Sequence, residues 1–90
     1  MKIIYSLKFI KSYKKLPKHI KRQAEEREEV FRKDIFDPRL KTHKLHGKFK
    51  DFYSFSINHD YRIIFEILKN KEIVIHFLLV DNHSVYKHKQ

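Results

Sequence analysis

Residues 49–80 read FKDFYSFSINHDYRIIFEILKNKEIVIHFLLV, and this stretch decides the fold. Its apolar residues recur with the period of two that is typical of half-buried β-strands. We predict strands over Phe49 to Ile57, Tyr61 to Leu68 and Glu72 to Val80, because the short polar segments 58–60 and 69–71 have the composition of tight hairpin turns. The C-terminal half of the chain is therefore expected to form an antiparallel sheet.

The alternation assigns the strand residues to two faces of this sheet. One face is almost wholly apolar and is expected to pack against helices: Tyr53, Phe55, Ile57, Tyr61, Ile63, Phe65, Ile67, Ile73, Ile75, Phe77 and Leu79. The other face mixes small hydroxyls, apolar residues and one arginine: Phe52, Ser54, Ser56, Arg62, Ile64, Glu66, Leu68, Val74, His76 and Leu78. Helices cannot cover both faces, so the mixed face is predicted to be solvent-exposed, a ligand groove or a partner surface.

The N-terminal half carries a strand and two helical patterns. A short strand is predicted over Lys2 to Tyr5, and Ser6 is placed to cap a helix from Leu7 to about Leu16. Pro17 suits the first turn of a second helix that runs to about Ile35. The predicted fold is α+β, with an N-terminal strand and a two-helix hairpin packed on one face of a twisted antiparallel β-sheet, in a single domain over residues 1–90.

The charge of the chain limits its partners. Twenty-one Lys and Arg against eleven Asp and Glu give a net charge of +10, beyond the roughly 2 to 8 that solubility needs in a small domain. This excess favours an anionic partner, which is nucleic acid, an acidic protein or a membrane surface. The sequence lacks cysteine, which fits the cytosol, and the N-terminal residues do not read as a signal peptide. No apolar run is long enough to span a membrane, so no membrane role is expected.

Residues with proton-transfer and phosphate-binding chemistry cluster around the sheet. A basic connector precedes the strands and is expected to reach one edge of the sheet. Its candidate residues for binding a polyanion such as RNA are Lys41, Lys44, His46, Lys48 and Lys50, with His43 among them. The first hairpin places His59, Asp60 and Arg62 at the end of the two central strands. Because the last strand is antiparallel to its neighbour, His83 and Tyr86 are expected to return to the Arg62 end.

This set of residues suits the cleavage of RNA without a metal or other cofactor. The 2′-hydroxyl attacks the adjacent phosphorus, which requires a base for that hydroxyl, a cation for the phosphorane and an acid for the leaving 5′-oxygen. Histidine serves the proton roles, and arginine binds phosphate oxygens through two parallel hydrogen bonds. A zinc site is not expected, because no pair of histidines has helical ligand spacing and no cysteine accompanies them. Asp60 also suits a plain turn, and His46, His59 and His88 are expected to be surface residues.

The residues and their order resemble the RelE/ParE toxin superfamily. The resemblance rests on HKLHGKFKDFYSFSINHDYRIIFEI at residues 43–67, on HFLLVDNHSVYK at residues 76–87 and on FIKSYKKLP at residues 9–17. It implies two helices on a twisted antiparallel sheet and the role of toxin in a bacterial type II toxin–antitoxin pair. The endoribonuclease branch of that superfamily cuts mRNA in the ribosomal A site, next to ribosomal RNA, and a cognate antitoxin blocks the toxin.

The resemblance also implies roles for individual residues. Arg62 matches the phosphate-binding arginine, whereas His43, Asp60 and His83 match the proton-transfer set of the YafQ-like subgroup. Tyr86 matches the C-terminal aromatic of RelE-like members. The sequence departs from RelE at Ser54 and Ser56, where that protein carries lysines. The resemblance leaves the assignment of base and acid open; it favours His83 as the acid and Asp60 or His43 as the base.

Two other functions are open. ParE-like members share the fold and inhibit DNA gyrase without chemistry of their own, and a decayed toxin would only bind its partner. The proton-transfer set favours the nuclease, because an inhibitor needs no such groups. The function predicted from sequence is therefore a cytoplasmic mRNA interferase, with gyrase inhibition as the alternative.

Overall fold

The computed structural model describes residues 1–69 and 71–82. Its elements in chain order are β1 (Lys2–Tyr5), α1 (Leu7–Lys14), α2 (Lys18–Lys33), β2 (His43–Lys44), β3 (Tyr53–Ser56), β4 (Tyr61–Lys69) and β5 (Ile73–Asn82). Short 3₁₀ turns at Pro38–Leu40 and Gly47–Phe49 lie on either side of β2. In the described part of the chain, neither helix is long and apolar enough to cross a membrane.

The strands form a five-stranded sheet in the order β1-β5-β4-β3-β2, with both helices packed on it, which confirms the predicted α+β class. The sheet is mixed rather than wholly antiparallel, because β1 pairs with β5 in parallel. Parallel neighbours need a long crossover connection, and here almost the whole chain lies between the two strands. The two-residue strand β2 comes from the basic connector and was not predicted.

The helices begin where the sequence indicates and end slightly earlier. The Ser6 hydroxyl accepts a hydrogen bond from the Phe9 amide at 2.9 Å, so Ser6 is the predicted cap of α1. Pro17 lies one residue before α2, with an extended ψ of 153°. On α2 the Glu28 carboxylate accepts a hydrogen bond from the Tyr5 hydroxyl at 2.6 Å, which ties this helix to β1.

An aromatic cluster forms the centre of the core. The Phe31 ring of α2 lies 4.7 Å from the ring of Phe55, 5.1 Å from Phe65 and 5.5 Å from Phe77, centroid to centroid. All four side chains are fully buried. The predicted apolar face is thus confirmed at these three strand positions, and α2 covers it.

A β-bulge in β5 reverses the alternation at the end of this strand. Phe65 pairs with Phe77, but Ile64 pairs with Leu79, so one extra residue of β5, Leu78, lies between the two pairs. The prediction that Leu79 faces the core was therefore wrong. The extra residue moves Leu79 to the mixed face beside Ile64 and places Val80 in the core at 9% exposure.

Helix α1 lies along the edge of β5 beyond the end of β1, and two serines hold the bulge there. The Ser6 hydroxyl donates to the Leu78 carbonyl at 2.8 Å, and the Val80 amide donates to the Ser12 hydroxyl at 2.9 Å. These bonds satisfy backbone groups that an unpaired strand edge would otherwise leave open. The cap residue of α1 and a serine within the helix therefore hydrogen-bond to the strand at and just after the bulge.

The predicted strand from Phe49 begins only at Tyr53, because the chain turns sharply before it. Gly47, the one glycine of the sequence, has a φ of +68°, which L side chains rarely adopt. The 3₁₀ turn that follows puts Phe49 beside the mixed face of the sheet rather than in β3. Ile64 on that face is 4% exposed, and Phe49 of the connector lines the same cavity as Ile64.

Candidate active site

Strand register brings the candidate residues together on the mixed face. Ser56 pairs with Arg62, and the bulge brings Asp81 opposite Arg62 on the other side. In the neighbouring row, His43 pairs with Ser54 of β3. Directly paired residues project to the same face, so the arginine and the histidine share this face, two strands apart.

Arg62 and Asp81 form an ion pair that orients the guanidinium. The Arg62 Nε donates to Asp81 Oδ2 at 3.0 Å, and the side chains are 24% and 15% exposed. Within residues 1–69 and 71–82 this is the one side-chain hydrogen bond that Arg62 makes, so the N–H donors of its two terminal nitrogens are available there. An arginine held through Nε can offer both terminal nitrogens to the oxygens of a phosphate.

A backbone carbonyl sets the tautomer of His43. Lys41 has a φ of 51°, a left-handed conformation that is uncommon for a residue other than glycine. Its carbonyl lies 2.9 Å from His43 Nδ1. A carbonyl can only accept, so Nδ1 carries the proton and Nε2 is the unprotonated nitrogen of the neutral ring. His43 therefore has the arrangement that a general base requires.

A cavity of about 240 Å³ opens between these two side chains. Arg62 lies on one side of it, and His43 and Lys41 lie on the other. Ser54 and Ser56 of the intervening strand also line it, and their short side chains leave room that lysines would fill. The two serines therefore lie beside the space between Arg62 and His43.

The turn between β3 and β4 closes one end of this cavity. The Asn58 carboxamide oxygen accepts from the amides of Asp60 at 2.8 Å and Tyr61 at 3.0 Å, and the Ser56 hydroxyl donates to the Asn58 carbonyl at 2.8 Å. Asn58, His59 and Tyr61 all line the cavity. This compact turn therefore presents the His59 ring, whose side chain is 84% exposed, at the rim.

The predicted catalytic residues are only partly brought together. His43 and Arg62 share the cavity, whereas Asp60 does not line it and lies with Oδ1 3.4 Å from His59 Nδ1. The predictions for His83 and Tyr86 fall outside the described residues. His59, which the sequence assigned to the surface, is exposed and also borders the cavity.

The predicted RNA-binding residues also separate into two groups. Lys41 lines the first cavity, and Lys48 lines a second one of about 550 Å³ on the same face. Lys44, His46 and Lys50 are exposed and line neither. Arg62 lines both cavities, so the two are neighbours at this side chain. The two cavities together are called the groove of the mixed face.

Sequence reasoning missed the residues that depend on the bulge or on the connector. Asp81 and Leu79 join the groove only because the extra residue in β5 reverses their side. Phe49 joins it because the 3₁₀ turn removes it from β3, and Lys8 reaches it from the first turn of α1. The only sign of this in the sequence was an acidic residue, Asp81, directly after the apolar run at residues 77–80.

Comparisons with known proteins give a family and a fold. Residues 3–85 match the family described as ParE toxin of type II toxin–antitoxin system, parDE. No protein of curated function matches the sequence at a significant level.

Several solved structures share the fold. The YoeB/ParE toxin from Agrobacterium tumefaciens is 14% identical, with a TM-score of 0.76 over 92% of this chain and 99% of that chain. YafQ from E. coli strain BL21(DE3) is 17% identical, with a TM-score of 0.74 over 93% and 94%. A chain of the archaeal RelE–RelB complex from Pyrococcus horikoshii OT3 is 22% identical, with a TM-score of 0.71 over 91% and 93%. At these identities the structural comparisons establish the fold alone.

Proposed function

Because the chain belongs to the ParE toxin family of type II toxin–antitoxin systems, within the RelE/ParE superfamily, we propose that this toxin acts as a metal-independent endoribonuclease on mRNA in the ribosomal A site. The observation that carries the proposal is the shared cavity of His43 and Arg62. A cation that binds phosphate and a histidine with a free Nε2 are two of the three groups that RNA cleavage needs.

The proposed reaction uses His43 as the base. Its Nε2 takes the proton of the 2′-hydroxyl, O2′ bonds to phosphorus and the P–O5′ bond breaks. His83 supplies the proton to the leaving O5′, and the products are a 2′,3′-cyclic phosphate and a 5′-hydroxyl. His43 is favoured over Asp60 as base, since it lines the cavity and its Nδ1 proton is held by the Lys41 carbonyl.

Arg62 is proposed to stabilise the phosphorane. Its terminal nitrogens would donate to the non-bridging oxygens as negative charge develops on them. Removal of one such donor costs about 10² to 10³ in rate in a well-studied hydrolase. The family resemblance alone supports the proposal that Tyr86 acts near the scissile bond.

The experiment is cleavage of an mRNA on purified, programmed ribosomes, read by primer extension, with analysis of the new ends. Wild type should produce 5′-hydroxyl ends that polynucleotide kinase labels directly, together with 2′,3′-cyclic phosphates. Arg62→Ala should lose about 10²- to 10³-fold in rate, whereas Arg22→Ala, an exposed arginine of α2 that lines neither cavity, should not. Ends with 5′-phosphate and 3′-hydroxyl would rule out the mechanism.

Inhibition of DNA gyrase is the second candidate, and the name of the matching family favours it. A gyrase inhibitor would need neither proton-transfer group. A supercoiling assay with purified gyrase distinguishes the two. Inhibition that survives His43→Ala, in a protein that leaves ribosomal mRNA intact, would establish the alternative.

A cognate antitoxin is proposed as the protein partner. The archaeal neighbour was solved as a complex with RelB. A net charge of +10 favours an acidic antitoxin segment, which could neutralise the groove around Arg62. Co-expression of the neighbouring small reading frame should relieve toxicity and yield a complex that co-purifies.

A further inference from the structure

The second cavity on the mixed face has a different character from the first. Its floor is aliphatic, formed by Ile64 of β4 and Leu79 of β5, and its wall includes the aromatic ring of Phe49. At about 550 Å³ it lies within the range of roughly 300–1,000 Å³ that is usual for small-molecule sites. Apart from Arg62 and its ion-pair partner Asp81, its lining residues have no role in the proposed reaction.

The Phe49 ring lies near two other side chains and remains accessible. Its ring lies 6.3 Å from the Phe52 ring, and Lys48 Nζ is 5.2 Å from its centroid. The side chain is 36% exposed, which leaves ring surface open to the groove. An exposed aromatic ring beside an aliphatic floor suits a flat, apolar group rather than a phosphate.

The charges around this cavity indicate which flat group it would take. Lys8, Lys48 and Arg62 line it, against one acidic residue, Asp81, which is already paired with Arg62. Cations around an aromatic ring are the pattern of sites for single-stranded nucleic acid, in which a base stacks and the backbone is neutralised beside it. Since Arg62 lines both cavities, a strand with its phosphate at the arginine would place a neighbouring base here.

We propose that the cavity lined by Phe49, Ile64 and Leu79 is a nucleobase subsite, which stacks a base next to the phosphate bound at Arg62. This inference rests on the proposed ribonuclease function and adds to it a site for the substrate strand. Lys8 and Lys48 would neutralise the phosphates that flank that base. Stacking tolerates any base, so the subsite fixes the register of the strand more than its sequence.

The test measures binding of a six-nucleotide 2′-O-methyl RNA, which cannot cyclise, by fluorescence anisotropy. The second ligand is the same strand with an abasic residue at the position where base removal weakens wild-type binding most. Phe49→Ala should weaken binding of the intact strand by about 5- to 150-fold and leave the abasic strand nearly unchanged. A double-mutant cycle between ring and base isolates the stacking contact from indirect effects.

Matched variants separate stacking from other effects. Phe49→Leu keeps the apolar volume without the ring and should lose most of the affinity, while Phe49→Tyr should restore it. Phe36→Ala removes a phenylalanine that is 60% exposed and lines neither cavity, so its affinity should equal that of wild type. Circular dichroism confirms that each variant is folded.

The outcomes separate this inference from the proposed function. Equal losses of intact and abasic strands in Phe49→Ala, or no loss of either, would overturn the subsite. Weaker binding of both strands in Arg62→Ala would in that case still support the phosphate site. Wild-type affinity that does not depend on Arg62 would overturn both. A loss limited to the intact strand in Phe49→Ala, with weaker binding of both strands in Arg62→Ala, supports both.

Discussion

Arg62 Nε lies 3.0 Å from Asp81 Oδ2, and this contact exists because β5 contains one residue more than its neighbour between two paired positions. With regular pairing, Arg62 would lie opposite Val80. The Ser6 and Ser12 side chains hold the bulge from α1. Two hydrogen bonds, from the cap of α1 and from the helix itself, therefore support the register that brings Asp81 opposite the proposed phosphate-binding arginine.

The first prediction separates charge from orientation at Asp81. Asp81→Asn keeps an oxygen that can accept from Arg62 Nε, so cleavage should stay within a few-fold of wild type. Asp81→Ala removes the acceptor and lets the guanidinium reorient, and a misplacement of about 1 Å can cost up to about 10²-fold in rate. Single-turnover cleavage on programmed ribosomes gives both rates.

The experiment on Asp81 includes a control variant. Asp51→Ala removes an exposed aspartate that lines neither cavity, and its rate should equal that of wild type. If Asp81→Ala cleaves as fast as Asp81→Asn, then Asp81 does not position the arginine.

The second prediction concerns the pH dependence of stability. The Arg39 side chain donates to both carboxylate oxygens of Asp37, at 3.0 and 2.9 Å, and lowers the pKa of Asp37 from 3.8 to about 2. A carboxylate with a lowered folded-state pKa stabilises the fold above its unfolded pKa, and this contribution is lost as the pH falls from about 4 to about 2. Wild type should thus be more stable than Asp37→Asn at pH 5, with a smaller difference at pH 3.

Urea unfolding at the two pH values measures this difference. Asp34→Asn serves as the control, because no ion pair of Asp34 is found among the described residues. A difference between wild type and Asp37→Asn that is the same at pH 5 and pH 3 would contradict the role of the ion pair.

The third prediction concerns the backbone at Gly47. Its φ of +68° is unfavourable for an L-amino acid that has a Cβ, although a Cβ added at this position would meet no atom within 4 Å. Gly47→Ala should therefore destabilise the protein by about 1–2 kcal/mol through the backbone alone. Asparagine tolerates the left-handed region better than alanine does, so Gly47→Asn should cost less. Equal midpoints for the three proteins in urea would show that the turn relaxes without cost.

Much of this architecture follows from local patterns in the sequence. Strand periodicity predicted β4 and β5 to within two residues at each end, and the serine before α1 predicted its cap. Those features depend on interactions between residues that are close in the sequence. The aromatic core was predicted as well, because Phe55, Phe65 and Phe77 lie on the apolar face to which the alternation assigned them.

The groove was harder to predict because it depends on contacts between distant parts of the chain. Residues 77–80 are all apolar, so the sequence shows no alternation of polar and apolar residues there that could reveal a bulge. The bulge is fixed by serines about 70 positions away, and Lys8 and Phe49 enter the groove through the path of the backbone. Arg62 and His43 were proposed from their chemistry, whereas the position of Asp81 opposite Arg62 depends on the strand register.

The fourth prediction concerns the histidines, which should differ in their effect on cleavage. His43 lines the cavity with its Nδ1 proton fixed by the Lys41 carbonyl, so His43→Ala should lose about 10²- to 10⁴-fold in rate. His46 is exposed and lines neither cavity, so His46→Ala should be near normal. His59→Ala should lose much less than His43→Ala, because its ring is 84% exposed at the rim and pairs with Asp60. His83→Ala should lose as much as His43→Ala if His83 is the acid.

Added imidazole distinguishes a lost base from a lost contact. It can diffuse into the space vacated in His43→Ala and accept the 2′-hydroxyl proton, so it should restore part of the rate, whereas it should not restore Arg62→Ala, which lacks a cation rather than a base. The measurement is the single-turnover rate on programmed ribosomes with increasing imidazole, with circular dichroism as the folding control. Small and similar losses in all four histidine variants, with no rescue, would mean that the histidines only add to a basic surface, and gyrase inhibition would then become the better assignment for this toxin.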